Sequence, residues 1–331
     1  MAKQQNNRVL QEEQRTNGSK PHGLIDRWAA LIGRWTFQGG KATFHGSDDN
    51  ESPLGLALAG ASFRNGSIRT RLKLARNKQT TASILLGYQS MTAPYVLVQL
   101  GAHDKAYAVS EYRPNLGFEL LASAGLLSNI DPEVEHELAV TLEGQSLSMR
   151  VDGVNVLSML LRQPINGEGM GLEAWGDAAV VFEETYFEAR SPRVFVMMPF
   201  AEPFDALYRD VIKPVAEDEL DFEVVRVDEI QAPGLVIDDV QRQIAASNVV
   251  VAEISTRNPN VFYELGYAHA LRKPAVILVR REDRNDVPFD LRGYRAIYYD
   301  DSIGGKKAVE QNLRSYLQAV KSGGLTDTVP V

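Results

Sequence analysis

The pattern of apolar and polar positions changes once along the chain, near residue 190. Before that point, from Trp28 to about Ala189, short runs alternate apolar and polar residues between Gly, Asn and Asp turns. Alternation puts every second side chain on one face of a strand, and no convincing helical pattern intervenes. This part is therefore predicted to be a β-sandwich of the jelly-roll type. The clearest strands are predicted at 67–74, 82–88, 95–100, 106–112, 136–142 and 146–151.

After Ser191-Pro192 the period changes, and continuous apolar runs alternate with helical patterns. This arrangement is typical of a parallel sheet with helices on both faces, and about five strands fit the flavodoxin-like order 2-1-3-4-5. Strands are predicted at 194–198, 222–227, 249–254, 275–279 and 296–299, and helices at 204–219, 237–246, 259–271 and 306–320. The predicted domains are a disordered tail at 1–23, the sandwich at 24–190, the α/β domain at 191–322 and a tail at 323–331.

Composition excludes several classes of function. The chain of 331 residues has a formal net charge of −8, so no basic excess exists to neutralise nucleic-acid phosphates. It has no cysteine, which removes disulfides and thiolate chemistry, and no His cluster of metal-binding type, so no metal is expected. The N-terminus lacks a signal-like apolar region, and no run is long enough to span a bilayer. A cytoplasmic protein without a membrane partner is expected.

In the predicted strand order, the crevice at the carboxyl ends of strands 1 and 3 receives two loops, 198–203 and 255–260. Asn258 is a good N-cap and Pro259 suits the first helical position, which places Glu264 about a turn and a half into the helix. From spacing alone Asn258 is a cap or a ligand-binding residue, and Glu264 is a solvated helix glutamate or a catalytic carboxylate.

The runs Val194 to Phe200, Val249 to Ala268 and Pro288 to Tyr294 make the last third resemble the nucleoside 2-deoxyribosyltransferase and TIR-like N-glycosidase group. The resemblance implies that Glu264 is catalytic, because a fixed carboxylate stabilises or captures the positive charge left at the anomeric carbon. It also implies a substrate-binding set and, where TIR domains self-associate, a loop at 228–238. The substrate-binding set is Pro199, Phe200, Asp239, Arg257, Asn258, Asn260 and Tyr263, and the self-association residues are Asp228, Pro233 and Gly234.

Departures from that group bear on the substrate. Deoxyribosyltransferases carry an aspartate where this chain has Asn258, which disfavours nucleobase exchange more than NAD cleavage. Arg257, Arg280 and Arg281 are candidates to meet a pyrophosphate, with solvated surface charge as the alternative.

The first domain resembles the concanavalin A-like jelly roll, through residues 136–156 and Gly169 to Leu172. Trp35 and Trp175 are candidates to stack on a sugar or to pack within the domain. The domain is interpreted as a sensor, binding or assembly module, with a small ligand or a glycan as its partner.

Together these features favour an NAD+ glycohydrolase effector of bacterial antiviral defence, with NAD as substrate, no cofactor, and a homo-oligomer as the active form. A nucleoside or nucleotide N-glycosidase or 2-deoxyribosyltransferase is one alternative. A non-catalytic TIR-like assembly protein is the other.

Overall fold

The first part of the chain is built from antiparallel strands. The computed structural model describes residues 22–47, 52–75, 80–132, 134–227, 236–294 and 296–322. The strands of this part are β1 His22–Leu24, β2 Trp28–Ile32, β3 Trp35–Gln38, β4 Lys41–Phe44, β5 Leu54–Ser62, β6 Gly66–Lys73, β7 Thr81–Tyr88, β8 Tyr95–Leu100, β9 Lys105–Arg113, β10 Gly117–Leu126, β11 His136–Glu143, β12 Ser146–Val151, β13 Val154–Leu160, β14 Gly169–Trp175 and β15 Val180–Ala189.

These strands form two sheets. One has the order β13-β12-β11-β6-β15-β4-β3, with β1 paired to β15, and the other has the order β10-β9-β8-β7-β14-β5-β2. In β6 the buried and exposed side chains alternate, as expected for a sheet with one face on the core, whereas β8 is buried on both faces. Trp35 packs on the first sheet, with its ring centroid 5.4 Å from that of Phe44 and 6.1 Å from that of Phe182. Trp35 is therefore a packing residue.

The second part of the chain is a parallel sheet with helices. Its strands are β16 Arg193–Met197, β17 Glu223–Arg226, β18 Val249–Glu253, β19 Ala275–Arg280 and β20 Ala296–Tyr299, in the order β17-β16-β18-β19-β20. The helices are α1, which starts with Phe204–Leu207 and continues in wider π-type turns over Tyr208–Ile212 and Pro214–Glu219, then α2 Val236–Ala246, α3 Pro259–Ala270 and α4 Ile303–Lys321.

Both halves of the predicted fold class are confirmed: an antiparallel sandwich, and a parallel sheet in the order 2-1-3-4-5. The widened turns of α1 were not predicted. Pro214 has no backbone N–H to donate inside this helix, which disfavours regular α-helical bonding around it.

By its internal packing the chain divides into two compact units. The first comprises Met1–Leu142, Ser146–Met159 and Gly167–Ser191, and the second comprises Glu143–Gln145, Leu160–Asn166 and Pro192–Val331. Residues 1–21 and 323–331, which hold most of the predicted tails, lie outside the described residues. Within the described residues, no helix has the length and apolar character needed to cross a membrane.

A substitution at Gly66 tests how closely β6 packs against the neighbouring strand β15. Its φ is +121°, and a Cβ atom would lie 1.8 Å from the backbone oxygen of Glu188 in the neighbouring strand. Because a backbone atom cannot move aside, Gly66→Ala should lower the free energy of unfolding by about 2 kcal/mol or more.

The matched control is Gly153→Ala, since Gly153 has a φ of +78° but a Cβ added there would meet no described atom within 4 Å. It should cost only about 1 kcal/mol. Equal midpoints of urea unfolding for the two variants would contradict this account.

Candidate functional site

The candidate site is the crevice where the strand order of the parallel sheet reverses. β16 pairs with β17 on one side and with β18 on the other. The connections that leave these two strands run to opposite faces: Phe204 of α1 packs in the core on one face, and Val261 and Leu265 of α3 pack in the core on the other. Divergent connections open a crevice at the carboxyl edge of such a sheet.

The N-terminus of α3 fixes one wall of the crevice. Asn258 is extended, and its side-chain oxygen accepts a hydrogen bond from the backbone N–H of Asn260 at 2.9 Å. Pro259 occupies the first helical position, where a missing N–H costs nothing. Asn258 is therefore a helix cap, and it fixes the residue at which α3 begins.

The crevice has a volume of about 780 Å³. Aliphatic and aromatic side chains supply most of its walls, and Glu264 is the only titratable carboxyl among the described residues that line it. The lining residues are Val196, Met198, Phe200, Val227, Ile237, Val240, Asn258, Pro259, Asn260, Val261, Tyr263 and Glu264.

The Glu264 carboxyl is half-buried in these apolar surroundings. Burial raises its pKa from the usual 4.5 to about 7, because a charged carboxylate loses hydration there. Among the described residues, no hydrogen bond or ion pair offsets this loss. Near neutral pH the group is therefore present in both its protonated and its charged forms, which is the condition for general acid–base work.

Phe200 stands at the crevice with about half of its side chain exposed. The guanidinium of the buried Arg226 lies 5.4 Å from the Phe200 ring centroid and 4.3 Å from that of Tyr208. Its Nη1 also donates to Asp205 at 2.7 Å. Arg226 thus packs against the rings of Phe200 and Tyr208, and its charge is paired with Asp205.

The structure brings together five of the predicted site residues, Phe200, Asn258, Asn260, Tyr263 and Glu264. The hydroxyl of Tyr263 accepts a hydrogen bond from Gln241 Nε2 at 3.0 Å.

The other predicted residues do not line the crevice. Pro199 is part-buried beside Phe200. Asp239 forms an ion pair with Arg242, one turn along α2. Arg257 donates to the carboxylate of Asp286 at 2.5 Å and to its backbone oxygen at 3.1 Å. The predicted self-association residues, Asp228, Pro233 and Gly234, lie outside the described residues.

Sequence reasoning missed the hydrogen-bond network around Glu253, at the end of the central strand. This buried carboxylate accepts from the hydroxyls of Ser255 and, at 3.1 Å, Tyr299. The backbone N–H of Arg280 donates to Ser255 Oγ at 2.7 Å, so the network joins the ends of β18, β19 and β20. Burial raises the pKa of Glu253 to about 6, although its hydrogen bonds act in the opposite direction. The only sequence signal was an acidic residue at the end of an apolar strand.

Comparison with known proteins finds no match to a protein-family model and none to a curated protein. Several solved structures are similar. A carbohydrate-binding module, CBM66, from Bacillus subtilis is 14% identical over 49% of this chain and 94% of its own, with a TM-score of 0.41. A β-glucanase from Bacillus licheniformis is 13% identical over 53% and 99%, with a TM-score of 0.39. The catalytic domain of an endo-1,3-β-glucanase from Thermotoga petrophila is 11% identical over 51% and 96%, with a TM-score of 0.38.

The prediction of an NAD+ glycohydrolase effector is wrong. The similar solved structures are glucanases and a carbohydrate-binding module. The crevice gives a physical reason, because no lysine or arginine is among its described lining residues to meet a pyrophosphate. The three arginines proposed for that role bind carboxylates instead: Arg257 pairs with Asp286, Arg280 with Glu282 and Asp283, and Arg281 with Asp300. The nucleoside-directed and non-catalytic alternatives are wrong as well.

The environment of Glu264 predicts a pH-dependent difference in stability. Since its pKa is about 7 in the folded protein and near 4.5 when exposed, the folded state binds more protons between these values. Its contribution to stability is therefore complete below about pH 4.5 and is lost as the pH rises towards 7. Glu264→Gln, which stays neutral, should be more stable than the parent at pH 8 by on the order of 1–2 kcal/mol, a value reduced for partial exposure. The two should converge at pH 4.5.

Urea unfolding at several pH values measures this difference. The control is Asp218→Asn, which neutralises an exposed carboxylate of α1 and should change stability little at either pH. A parent protein that is at least as stable as Glu264→Gln at pH 8 would show that the carboxylate is well solvated or paired.

Proposed function

We propose that the crevice cleaves or transfers a glycosidic bond of a small glycoside, with Glu264 as the general acid. The observation that carries the proposal is the half-buried Glu264 carboxyl, whose pKa is raised to about 7 and which faces an apolar crevice with no basic partner among the described residues. A general acid works best when its pKa lies near the working pH.

The proposed reaction needs one carboxyl and an attacking hydroxyl. The protonated Glu264 gives its proton to the leaving-group oxygen while the bond from that oxygen to the anomeric carbon breaks. The resulting carboxylate stabilises the positive charge on the sugar. It then takes the proton of the water or alcohol that attacks the same carbon, which restores the acid. Water as the acceptor gives hydrolysis, and a sugar hydroxyl gives transfer.

The lining restricts the substrate. Without a lysine or arginine among the described lining residues, the crevice offers no compensation for a phosphate or another anionic group. Phe200 and Tyr263, each about half exposed, offer flat apolar surfaces for an uncharged leaving group. Asn258 and Asn260 provide polar groups at the same wall, although Asn258 already caps α3. The expected substrate is a neutral glycoside with an apolar aglycone.

Leaving-group dependence tests the role of Glu264. Phenyl glycosides need protonation of a poor leaving group, whereas 2,4-dinitrophenyl glycosides depart with little help. Glu264→Gln should therefore lower kcat/KM about 10²–10⁴-fold on phenyl glycosides and much less on dinitrophenyl glycosides. For the parent protein, kcat/KM on phenyl glycosides should fall as the pH rises through about 7, when the acid loses its proton.

The control variant is Asp218→Asn, which neutralises an exposed carboxylate of α1 that does not line the crevice. It should retain the parent rates on both substrates. Equal losses on both substrates in Glu264→Gln would indicate a nucleophile instead of an acid. Absence of any turnover over a panel of gluco-, galacto-, manno- and ribosides would overturn the proposed function.

A further inference from the structure

Several large apolar side chains around Glu264 are kept partly in solvent. Phe200 is 54% exposed, Tyr263 is 51% exposed and Ile237 is 43% exposed, and all three line the crevice. A single exposed apolar side chain is ordinary, but several around one concavity mark a ligand-binding groove. What holds these side chains in place therefore bears on which ligand the crevice accepts.

Phe200 is held by a buried arginine. Arg226, the last residue of β17, is 9% exposed, and its guanidinium carbon lies 5.4 Å from the Phe200 ring centroid. The same carbon lies 4.3 Å from the ring centroid of the buried Tyr208, and Nη1 donates to Asp205 at 2.7 Å. These are cation–π distances, and the planar guanidinium packs well against rings. Phe200 thus packs against a group that is itself held by a second ring and a carboxylate.

Arg226 acts on the crevice only through its neighbour. It is not among the described residues that line the crevice, and its charge is paired with Asp205. It therefore offers little to a phosphate or another anion bound there. Its effect on a ligand passes through Phe200, because a ring that is held in place before binding loses less conformational freedom when a ligand packs on it.

Tyr263 is held in a comparable way. Its hydroxyl accepts a hydrogen bond from Gln241 Nε2 at 3.0 Å, and Gln241 is not among the described residues that line the crevice. The crevice thus has two aromatic rings whose positions are set by side chains outside its lining. Aromatic pairs gain free energy beyond their buried area, so fixed rings favour a flat aromatic ligand over a saturated one of similar size.

From these contacts we propose that Arg226 is a positioning residue, which holds Phe200 as one wall of a site for an aromatic ring. In the proposed function, on which this inference rests, that ring is the aglycone of the glycoside. The crevice volume of about 780 Å³ is sufficient for a sugar together with a ring system of one or two cycles. The expected substrate narrows from a glycoside with an apolar aglycone to one with an aromatic aglycone.

Binding of the ring alone tests the site without any reaction. The probes are 2-naphthol and its saturated analogue decahydro-2-naphthol, titrated by calorimetry into the full chain near neutral pH, where both alcohols are uncharged. The parent protein should bind 2-naphthol about three- to tenfold more tightly than the saturated alcohol, as expected for one additional aromatic pair.

A double substitution shows whether Arg226 acts through Phe200. Arg226→Lys keeps a charge for Asp205 but lacks the planar group, so the affinity for 2-naphthol should fall about three- to tenfold, towards that for the saturated alcohol. In a Phe200→Leu background the same substitution should change this affinity no further, whereas a merely structural effect would appear in both backgrounds. The matched control is Arg209→Lys, which replaces an exposed arginine of α1 outside the described crevice lining and should leave the affinity unchanged.

Glycoside kinetics give a second readout. Arg226→Lys should raise KM for phenyl glycosides about three- to tenfold with kcat little changed, and should leave the kinetics on methyl glycosides as in the parent protein. Thermal unfolding confirms that each variant is folded. Arg226→Met, which also removes the planar cation, replaces a lysine variant that does not fold.

Three results would overturn the inference. The first is that the parent protein binds both alcohols equally or binds neither. The second is that a folded Arg226 variant keeps the preference for 2-naphthol, and the third is that Arg226→Lys causes an equal loss of affinity in the Phe200→Leu background.

The inference and the proposed function fail separately. An Arg226-dependent preference for 2-naphthol without turnover of any glycoside would support the aromatic-ring site and reject the proposed reaction. Turnover of phenyl glycosides without that preference would support the reaction and reject the role of Arg226.

Discussion

Burial of β16 and β18 on both faces of the parallel sheet is the constraint on which the second unit depends. Successive side chains of β16 enter different cores, with Val194 and Val196 on one face and Phe195 and Met197 on the other. A strand covered on both sides has no place for a polar side chain along its length. Polar groups are therefore displaced to the carboxyl ends of the strands, where the buried Glu253 and the loop before α3 lie.

Three glutamates whose pKa values are raised by burial show how differently one side chain can be used. Glu253 is surrounded by donors from Ser255 and Tyr299, so its carboxylate serves to tie loops together. Glu173 has one described donor, Ser83, and lies beside an acceptor that has no partner within the described residues. Glu264 has neither a donor nor a cation within that same part of the chain. The pKa of each is raised by burial, to about 6, 7 and 7 respectively, but only the incomplete environments leave a carboxyl available to a ligand.

The periodicity of apolar and polar residues predicted most of the fold. The apolar and polar pattern located six strands of the sandwich, β6 to β9, β11 and β12, and the continuous apolar runs located β16 and β18. Two of the six, β7 and β8, are buried along almost their whole length and do not show the alternation expected of them. The cap at Asn258 was also predictable, since it depends on local chemistry alone. The buried surroundings of Glu173 could not be predicted in this way, because Ser83 and Gln99 reach it from strands far apart in the chain. The local signs were the acidic residue inside the apolar strand β14 and Trp175, two residues further along that strand.

The arginines show that a suitable residue type at a suitable position is weaker evidence for a binding role than the contacts of that side chain in the folded chain. Arg257 directly precedes the cap of α3, and its position in the sequence suits an anion-binding role. In the folded chain its guanidinium is bound twice by Asp286, in a segment that no local pattern links to it. A ligand phosphate would have to displace that carboxylate, and the exchange of one anion for another yields little free energy. Whether an arginine near a crevice is available to a ligand thus depends on its ion pairs with residues far away in the sequence. Here the described residues that line the crevice around Glu264 are mostly apolar and include no lysine or arginine.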